Sequence, residues 1–214
     1  MIDQTLDELR PQLIAAMLPH VAFDGWSEAA LLAGARAAGI DEDVAKVAFP
    51  DGATAMVEAY IARADARLVE SLAAQDILSM KVRERIRRAV ATRLEQASGE
   101  REAVRRALAV LAMPQNLPLA ARTLWRTADT MWRAAGDTAT DYNHYTKRAI
   151  LGAVYSATLL VWLDDTSEGH AETLAFLDRR IDGIMRFEKT KAKLTGIHLP
   201  SPARFLGRLR YPAI

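Results

Sequence analysis

Residues 164–168, Asp-Asp-Thr-Ser-Glu, form an acidic cluster whose carboxylates could hold a metal ion. An acidic group of this kind can bind a magnesium diphosphate, but that chemistry needs a second acidic cluster on a facing helix, and the sequence offers none. Asp165 also stands three residues before Glu168, which is typical of a helix N-terminus, where carboxylates are favoured. We therefore interpret the cluster as the end of one helix and the beginning of the next, with an enzyme that uses Asp164, Asp165 and Glu168 as the alternative.

Other catalytic signatures are missing from the sequence. The four histidines are His20, His144, His170 and His198, and none follows a Glu by three residues, so the Glu-x-x-His pair of a di-iron bundle is absent. The chain has no Cys, which excludes disulfides and thiolate sites. It also lacks the G-x-S-x-G, Walker A and H-E-x-x-H motifs. The sequence predicts a protein that is not an enzyme and has no cofactor and no metal.

Large apolar side chains recur at helical spacing in two consecutive segments near residues 125–162. Long apolar helices that carry such side chains form either a dense core or a tunnel for an apolar ligand, and the spacing alone leaves both open. The residues are Trp125, Met131 and Trp132 in the first segment and Tyr155, Leu159 and Trp162 in the second.

The elements that position these residues are predicted to be helices throughout. The chain has 214 residues, with 40 Ala against 11 Gly and 8 Pro, and this composition favours an all-α fold. The longest stretch without a charge, residues 149–163, is shorter than the roughly 18 residues of a membrane span, so we predict a buried helix there. The N-terminus has acids and no apolar core, so no signal or transit peptide is predicted and the expected location is cytoplasmic.

Turn and capping residues divide the chain into about nine helices. Ser27 and Asp51 are predicted N-caps, Gly39 follows the end of a helix, and Pro11 is a kink or restart within the first helix. The predicted ranges are 3–18, 27–38, 41–48, 51–72, 76–97, 100–113, 118–135, 140–163 and 168–194.

The segment 25–61 resembles the N-terminal domain of the tetracycline-repressor (TetR) family. Gly25-Trp26, Ala38-Gly39-Ile40 and Phe49-Pro50 match that family's pattern around its recognition helix. The recognition helix itself departs from the pattern, because residues 41–48 carry three acids and one Lys, and residues 1–60 have a net charge of −7. DNA affinity comes mainly from cations that neutralise phosphates, so we expect the fold to be kept and DNA binding to be lost. A TetR-type ligand-responsive transcriptional regulator is the alternative function.

A second resemblance covers about residues 10–190 and is carried by strings such as LWRTADTMWRAAGDTATDYNHYTKRAILGAVYSATLLVWLDD and PHVAFDGW. These strings are similar to the Coq-nine family of ubiquinone-biosynthesis accessory proteins, which have a TetR-like fold, bind lipid and tend to dimerise. The resemblance implies a non-catalytic homodimer that binds a polyprenylated quinone precursor, or a phospholipid, and presents the precursor to the membrane-bound demethoxyubiquinone hydroxylase. It also favours the tunnel over the dense core, with a lining drawn from Trp125, Met131, Trp132, Tyr155 and Leu159.

The same resemblance places a hydroxylase-binding patch at the start of the eighth helix. It maps onto Asp141, Tyr142, His144, Tyr145 and Arg148, and His144 stands where the family usually has an aromatic residue such as Trp. The alternative is an ordinary solvated first turn.

The C-terminal tail, residues 196–214, has the pattern of a short basic amphipathic segment. Such a segment can lie on an anionic bilayer surface, which would place the protein peripherally at the inner membrane; docking of the tail on its own domain is the alternative. The contacting residues are predicted to be Arg204, Phe205, Leu206, Arg208, Leu209 and Arg210. The predicted organisation is one TetR-like domain over residues 1–195, with a degenerate helix-turn-helix portion (1–50) and helices for ligand binding and dimerisation (51–195), followed by the tail.

Overall fold

A computed structural model describes residues 5–138 and 142–195 of the chain, without the side chains of residues 142, 143 and 187–195. Within these ranges the secondary structure is entirely helical. The α-helices are α1 (Leu6–Asp24), α2 (Glu28–Ala38), α3 (Glu42–Ala48), α4 (Ala53–Ala73), α5 (Val82–Gln96), α6 (Arg101–Leu111), α7 (Leu117–Ala134), α8 (Tyr142–Asp164) and α9 (Ala171–Thr195). Short 3-10 turns occupy Ile77–Ser79, Ser98–Glu100, Pro114–Asn116 and Glu168–His170. The predicted all-α layout is confirmed.

The predicted end of the first helix near Leu18 is wrong. Helix α1 continues through both Pro11 and Pro19 to Asp24. A proline removes one backbone hydrogen bond and disfavours the helix locally, but burial of this segment outweighs that cost. Met17 and Val21, one turn apart on either side of Pro19, have no solvent exposure.

The three N-terminal helices pack closely on one another. A Cβ atom on Gly34 of α2 would lie 2.7 Å from the Cα atom of Met17, so the two helices cross at backbone contact there. The predicted caps in this region are confirmed. The Ser27 hydroxyl accepts a hydrogen bond from the Ala30 N–H, and Gly39 adopts the left-handed conformation at φ 67°. These contacts hold α1 against α2 and end α2 at Gly39.

Two other predicted boundaries are corrected. The cap of α4 is Gly52, which makes no side-chain cap bond, and not Asp51. The predicted helix over residues 76–97 is interrupted, because a 3-10 turn ends before α5 begins at Val82. Arg85 stabilises the interruption, since its guanidinium donates hydrogen bonds to the backbone carbonyls of Leu78, Met80 and Ala135.

By contacts the chain divides into two compact units, residues 1–177 and residues 178–214. The first unit contains α1 to α8 and the beginning of α9, and within it α4 packs on α5 and α7 while α7 packs on α8. The described part of the second unit is the continuation of α9 over residues 178–195. The predicted division at residue 195, and the separate roles of residues 1–50 and 51–195, stay predictions.

Candidate ligand-binding site

A cavity of about 390 Å³ lies in the first unit among α4, α5, α6, α7 and α8. Pockets of this size can enclose much of a small ligand. Most of its wall is aliphatic, and alanines on three sides leave the space that larger side chains would fill. The apolar lining residues are Ile61, Leu94, Ala97, Val104, Ala107, Leu108, Leu111, Ala112, Leu117, Ala120, Leu124, Leu159 and Leu160.

The cavity opens towards solvent along an apolar rim. Leu117, at the beginning of α7, and Leu160, on α8, both line the cavity and are 56% and 61% exposed. Large aliphatic side chains at an opening favour the entry of an apolar chain over that of a polar solute.

One end of the cavity is polar although it is buried. Arg93 of α5 and Thr127 of α7 line the cavity, and both contact Asp65 of α4. The Thr127 hydroxyl donates to both carboxylate oxygens of Asp65 at 3.0 Å. The Arg93 Nε lies 3.6 Å from Asp65 Oδ1, and Arg126 Nε lies 3.7 Å from Oδ2. Burial raises the pKa of Asp65, while the positive charges of Arg93 and Arg126 and the bond from Thr127 act in the opposite direction.

Two tyrosines complete this polar end. The Tyr60 hydroxyl donates to Glu100 Oε2 at 2.9 Å, and burial, with the charge of Glu100, raises the pKa of Tyr60 far above its usual value. Burial also raises the pKa of Tyr155, and the nearby charges of Arg93 and Asp65 act on it in opposite directions. Both phenols therefore stay protonated and can serve as hydrogen-bond donors.

The five predicted lining residues separate into four locations. Tyr155 and Leu159 line the cavity. Met131 is fully buried outside the cavity lining. Trp132 joins α7 to the beginning of α8, because its Nε1 donates to the Lys147 carbonyl at 3.0 Å.

Trp125 lies on a different face of α7, in a surface cluster of rings. Its ring centroid is 6.4 Å from that of His144 and 6.0 Å from that of Tyr145, and the latter two rings are 5.1 Å apart. Tyr145 is 62% exposed. We call Trp125, His144 and Tyr145 the aromatic patch. It includes two of the residues predicted for partner binding, together with one predicted for lipid.

The remaining residues predicted for partner binding are not part of the aromatic patch. Arg148 is 2% exposed and pairs with Asp129 at 2.5 Å and with Asp137 at 3.1 Å, so its charge is neutralised inside the protein. Burial acts to raise the pKa of Asp137, but the bonds from Lys147 and Arg148 outweigh it and lower that pKa. Asp141 lies outside the described residues, and the Tyr142 side chain is not described.

Sequence reasoning missed the polar end and the contribution of α5 and α6. For the polar end, the sequence did contain a signal at two positions. Arg93 follows Ile86 and Val90 at the spacing of one helical face, which places a cation on an apolar stripe. Asp65 does the same on α4, between Ile61 and Leu68.

The acidic cluster at residues 164–168 is a helix cap, as predicted, although its bonds differ from the expected ones. Asp165 is 3% exposed and accepts hydrogen bonds from the N–H and hydroxyl groups of Ser167 and Thr173, and Glu168 is not among its donors. The side-chain bonds from Ser167 and Thr173 lower the pKa of Asp165 strongly. Across residues 5–138 and 142–195, no three His, Asp or Glu side chains are grouped so that they could hold a metal ion.

The surface of α3 is acidic, as its sequence predicts. Asp41 caps the helix by accepting from the N–H groups of Asp43 and Val44. Lys46, the one cation of α3, lies 3.7 Å from Glu28 and 3.8 Å from Asp43. The charge of this lysine is thus offset by nearby carboxylates.

The predicted membrane-contacting residues, Arg204, Phe205, Leu206, Arg208, Leu209 and Arg210, lie outside the described residues. A helix with the length and apolar character needed to cross a bilayer does not occur in the described ranges.

Comparison with known proteins points to one family. Residues 117–188 match the COQ9 family model. The mitochondrial ubiquinone biosynthesis protein COQ9 of Rattus norvegicus is 33% identical over 199 residues, which cover 89% of this chain and 64% of that protein. The Homo sapiens COQ9 protein is 32% identical over 199 residues, which cover 89% of this chain and 62% of that protein. The Drosophila melanogaster COQ9 protein is 31% identical over 201 residues, which cover 90% of this chain and 60% of that protein. The chain spans slightly less than two thirds of the length of these relatives.

A solved structure has the same fold. The TetR transcriptional regulator from Nitrosomonas europaea superimposes with a TM-score of 0.65 at 19% identity, over 81% of this chain and 96% of that chain. At this identity the likeness bears on the fold alone. The TetR-like fold and the resemblance to the Coq-nine family, both predicted from the sequence, are confirmed.

Proposed function

We propose that this chain, which is similar to the mitochondrial COQ9 proteins over most of its length, serves ubiquinone biosynthesis as a non-catalytic lipid-binding protein. Its cavity holds part of a polyprenylated quinone precursor, which the protein presents to the demethoxyubiquinone hydroxylase. The observation that carries this proposal is the aliphatic cavity with an exposed apolar rim at Leu117 and Leu160.

The energetics suit a carrier that exchanges its ligand. Each CH₂ group removed from water contributes about 0.8 kcal/mol of stabilisation. One five-carbon isoprene unit is therefore about 4 kcal/mol more favourable in the cavity than in water. A bilayer offers the same tail an equally apolar surrounding. Transfer from membrane to cavity is therefore close to neutral for the tail, and the lipid can be taken up and released.

The experiment that tests the cavity is extraction of co-purified lipid followed by mass spectrometry. The parent protein should retain isoprenoid or acyl lipid. Leu159→Trp places a bulkier ring in the cavity and should reduce retention. Val69→Trp, at a position that is 45% exposed and outside the cavity lining, is the matched control and should retain lipid. A folded Leu159→Trp variant that keeps its lipid would refute the proposal.

The aromatic patch is the proposed docking site for the hydroxylase. Aromatic side chains are enriched at interface hot spots, and Tyr145 presents its ring to solvent. The patch and the cavity use different faces of the same helix, because Leu124 lines the cavity and Trp125 belongs to the patch. A partner bound there would lie next to the cavity.

Tyr145→Ala tests the patch independently of the cavity. We expect it to weaken co-purification of the hydroxylase at least tenfold while leaving the lipid content unchanged. Leu78→Ala, which removes another exposed large side chain, serves as control. Equal hydroxylase recovery from both variants would remove the patch from the proposal.

Association with the membrane surface is proposed for the basic tail. Full-length protein should float with anionic vesicles and separate from them at high salt, because the attraction of Lys and Arg to such surfaces is screened. Deletion after Leu199 should abolish flotation. If the deleted form floats as well as the parent, the tail is not the contact.

Regulation of transcription is the competing function, since the fold is TetR-like. The acidic α3, with Lys46 close to Glu28 and Asp43, argues against it. Anisotropy titration at low salt should detect no specific binding of genomic fragments. Sub-micromolar affinity for one site would favour the regulator over the lipid carrier.

A further inference from the structure

One side of the cavity is a seam between α6 and α8. Leu108 and Ala112 of α6 and Leu160 of α8 line the cavity. Ala112 and Leu160 are also exposed to solvent, so this seam borders the cavity opening. A ligand that passes between the two helices reaches the cavity directly, and the contacts that join α6 to α8 therefore bear on its passage.

Two arginines of α6, one turn apart, hold the C-terminal end of α8. Arg101 Nη1 donates to the carbonyl of Asp165, which follows α8, at 2.8 Å. Arg105 Nη2 donates to the Leu163 carbonyl at 3.0 Å and to the Asp164 carboxylate at 3.0 Å. Carbonyls at the end of a helix have no partner within it and carry partial negative charge, so guanidinium donors suit this position.

The two arginine contacts differ in exposure. The Arg101 guanidinium lies over the ring of Trp162, 4.9 Å from the ring centroid, and Trp162 has no solvent exposure. The side chains of Arg105 and Asp164 are 48% and 79% exposed. Exposed ion pairs are weak and are screened by salt. The Arg101 contact is therefore suited to stay closed, and the Arg105–Asp164 pair is suited to open and close.

The exposed pair lies next to the cavity opening on both helices. Arg105 is one turn before Leu108 on α6, and side chains at this spacing are neighbours on a helix surface. Asp164 stands in the same relation to Leu160 on α8, one turn after it. The pair therefore joins the two sides of the seam beside the residues that line the cavity.

We propose that the Arg105–Asp164 ion pair is a latch on this seam, which limits the rate at which an apolar ligand enters and leaves the cavity. This inference rests on the proposed lipid-binding function and adds its regulation. Breaking the pair frees α8 from α6 at the opening, while the Arg101 contact keeps the buried end in place. Because neither residue of the pair lines the cavity, its loss raises the rates of uptake and release together and leaves the affinity nearly unchanged.

Stopped-flow fluorescence with N-phenyl-1-naphthylamine, an apolar probe, measures ligand exchange by the delipidated full-length protein. Asp164→Asn should raise the rate constants of uptake and release about two- to fivefold, as expected for an exposed ion pair, and change the dissociation constant less than about twofold. Glu102→Gln is the matched control, because Glu102 pairs with Arg105 at 3.6 Å within α6 and does not cross the seam. It should leave both rate constants unchanged.

Further variants restore the latch or fix it. Arg105→Asp combined with Asp164→Arg exchanges the two charges and should return the rates towards those of the parent. High salt should speed exchange by the parent and have little effect on Asp164→Asn. Because the chain has no Cys, Arg105→Cys with Asp164→Cys can be cross-linked selectively by a short bis-maleimide, and the cross-linked form should exchange the probe more slowly than the same variant without the linker.

The possible outcomes separate the latch from the lipid-binding function. If Asp164→Asn and Glu102→Gln exchange the probe at the parent's rates, the latch is overturned and the lipid-binding proposal stands. If Asp164→Asn changes the dissociation constant as much as the rate of release, the pair acts on the bound state and not on passage, which also overturns the latch. If the parent does not bind the probe, both proposals fail.

Discussion

Replacing Arg148 by Met is expected to destabilise the protein and not to act primarily on partner binding. The Arg148 side chain is 1% exposed and bridges Asp129 and Asp137. Removing one member of a buried ion pair costs about 3–5 kcal/mol, because the remaining charge is left unpaired. Lys147 still contacts Asp137 at 2.7 Å, so the lower end of that range, about 3 kcal/mol, applies. For a chain of this size the loss corresponds to a fall in Tm of about 6–12 °C.

The chain offers a matched control for this substitution. Arg133 pairs with the same carboxylate, Asp129, at 2.7 Å, but its side chain is 70% exposed. Arg133→Met should therefore cost no more than about 1 kcal/mol. Urea unfolding of the three proteins, followed by circular dichroism, measures both differences. If Arg148→Met is as stable as Arg133→Met and loses hydroxylase binding, Arg148 is an interface residue and the argument from burial is refuted.

Two further changes have outcomes that follow from single contacts. Hydrogen bonds from Ser167 and Thr173 lower the pKa of Asp165, so this carboxylate stabilises the fold above the ordinary Asp pKa of about 4 and loses that effect as the pH falls through the lowered pKa. Asp165→Asn should remove this part of the acid dependence of the free energy of unfolding, and an unchanged pH profile would contradict the prediction. Gly34→Ala should lower the free energy of unfolding by about 1–3 kcal/mol, because the new Cβ atom meets backbone atoms of Met17 at 2.7 Å. Gly183→Ala, in open space on α9, should raise it by about 0.5–1 kcal/mol. Equal urea midpoints for the two variants would contradict the close crossing of α1 and α2.

Local signals in the sequence located most helix boundaries, since capping is a short-range interaction. Ser27 and Gly39 act where they were predicted to act, because the Ser27 hydroxyl bonds within its own turn and Gly39 adopts the left-handed backbone conformation that ends α2. The prediction failed at Pro19 because the outcome there depends on tertiary burial. The unfavourable proline is outweighed by the packing of Met17 and Val21, which no local pattern reports.

The candidate site was predicted only in part for the same reason. Helical spacing groups side chains on one helix but does not say which helix each face meets. Tyr155 and Leu159 face the cavity, whereas Trp125 turns towards His144 and Tyr145 on the surface. An aromatic residue suits a lipid wall and a docking surface equally well, so its type could not separate the two roles.

The N-terminal helices are tied to the walls of the cavity by the packing of Trp26. Trp26, just after α1, is 5% exposed, and its Nε1 donates to the Ala103 carbonyl of α6 at 3.1 Å. Its ring also lies 5.1 Å from that of Tyr60, which lines the cavity. Trp26 thus links the end of α1 to α4 and α6, two walls of the cavity. The acidic residues of α3 take no part in these contacts, so changing the surface charge of α3 should leave the cavity walls in place.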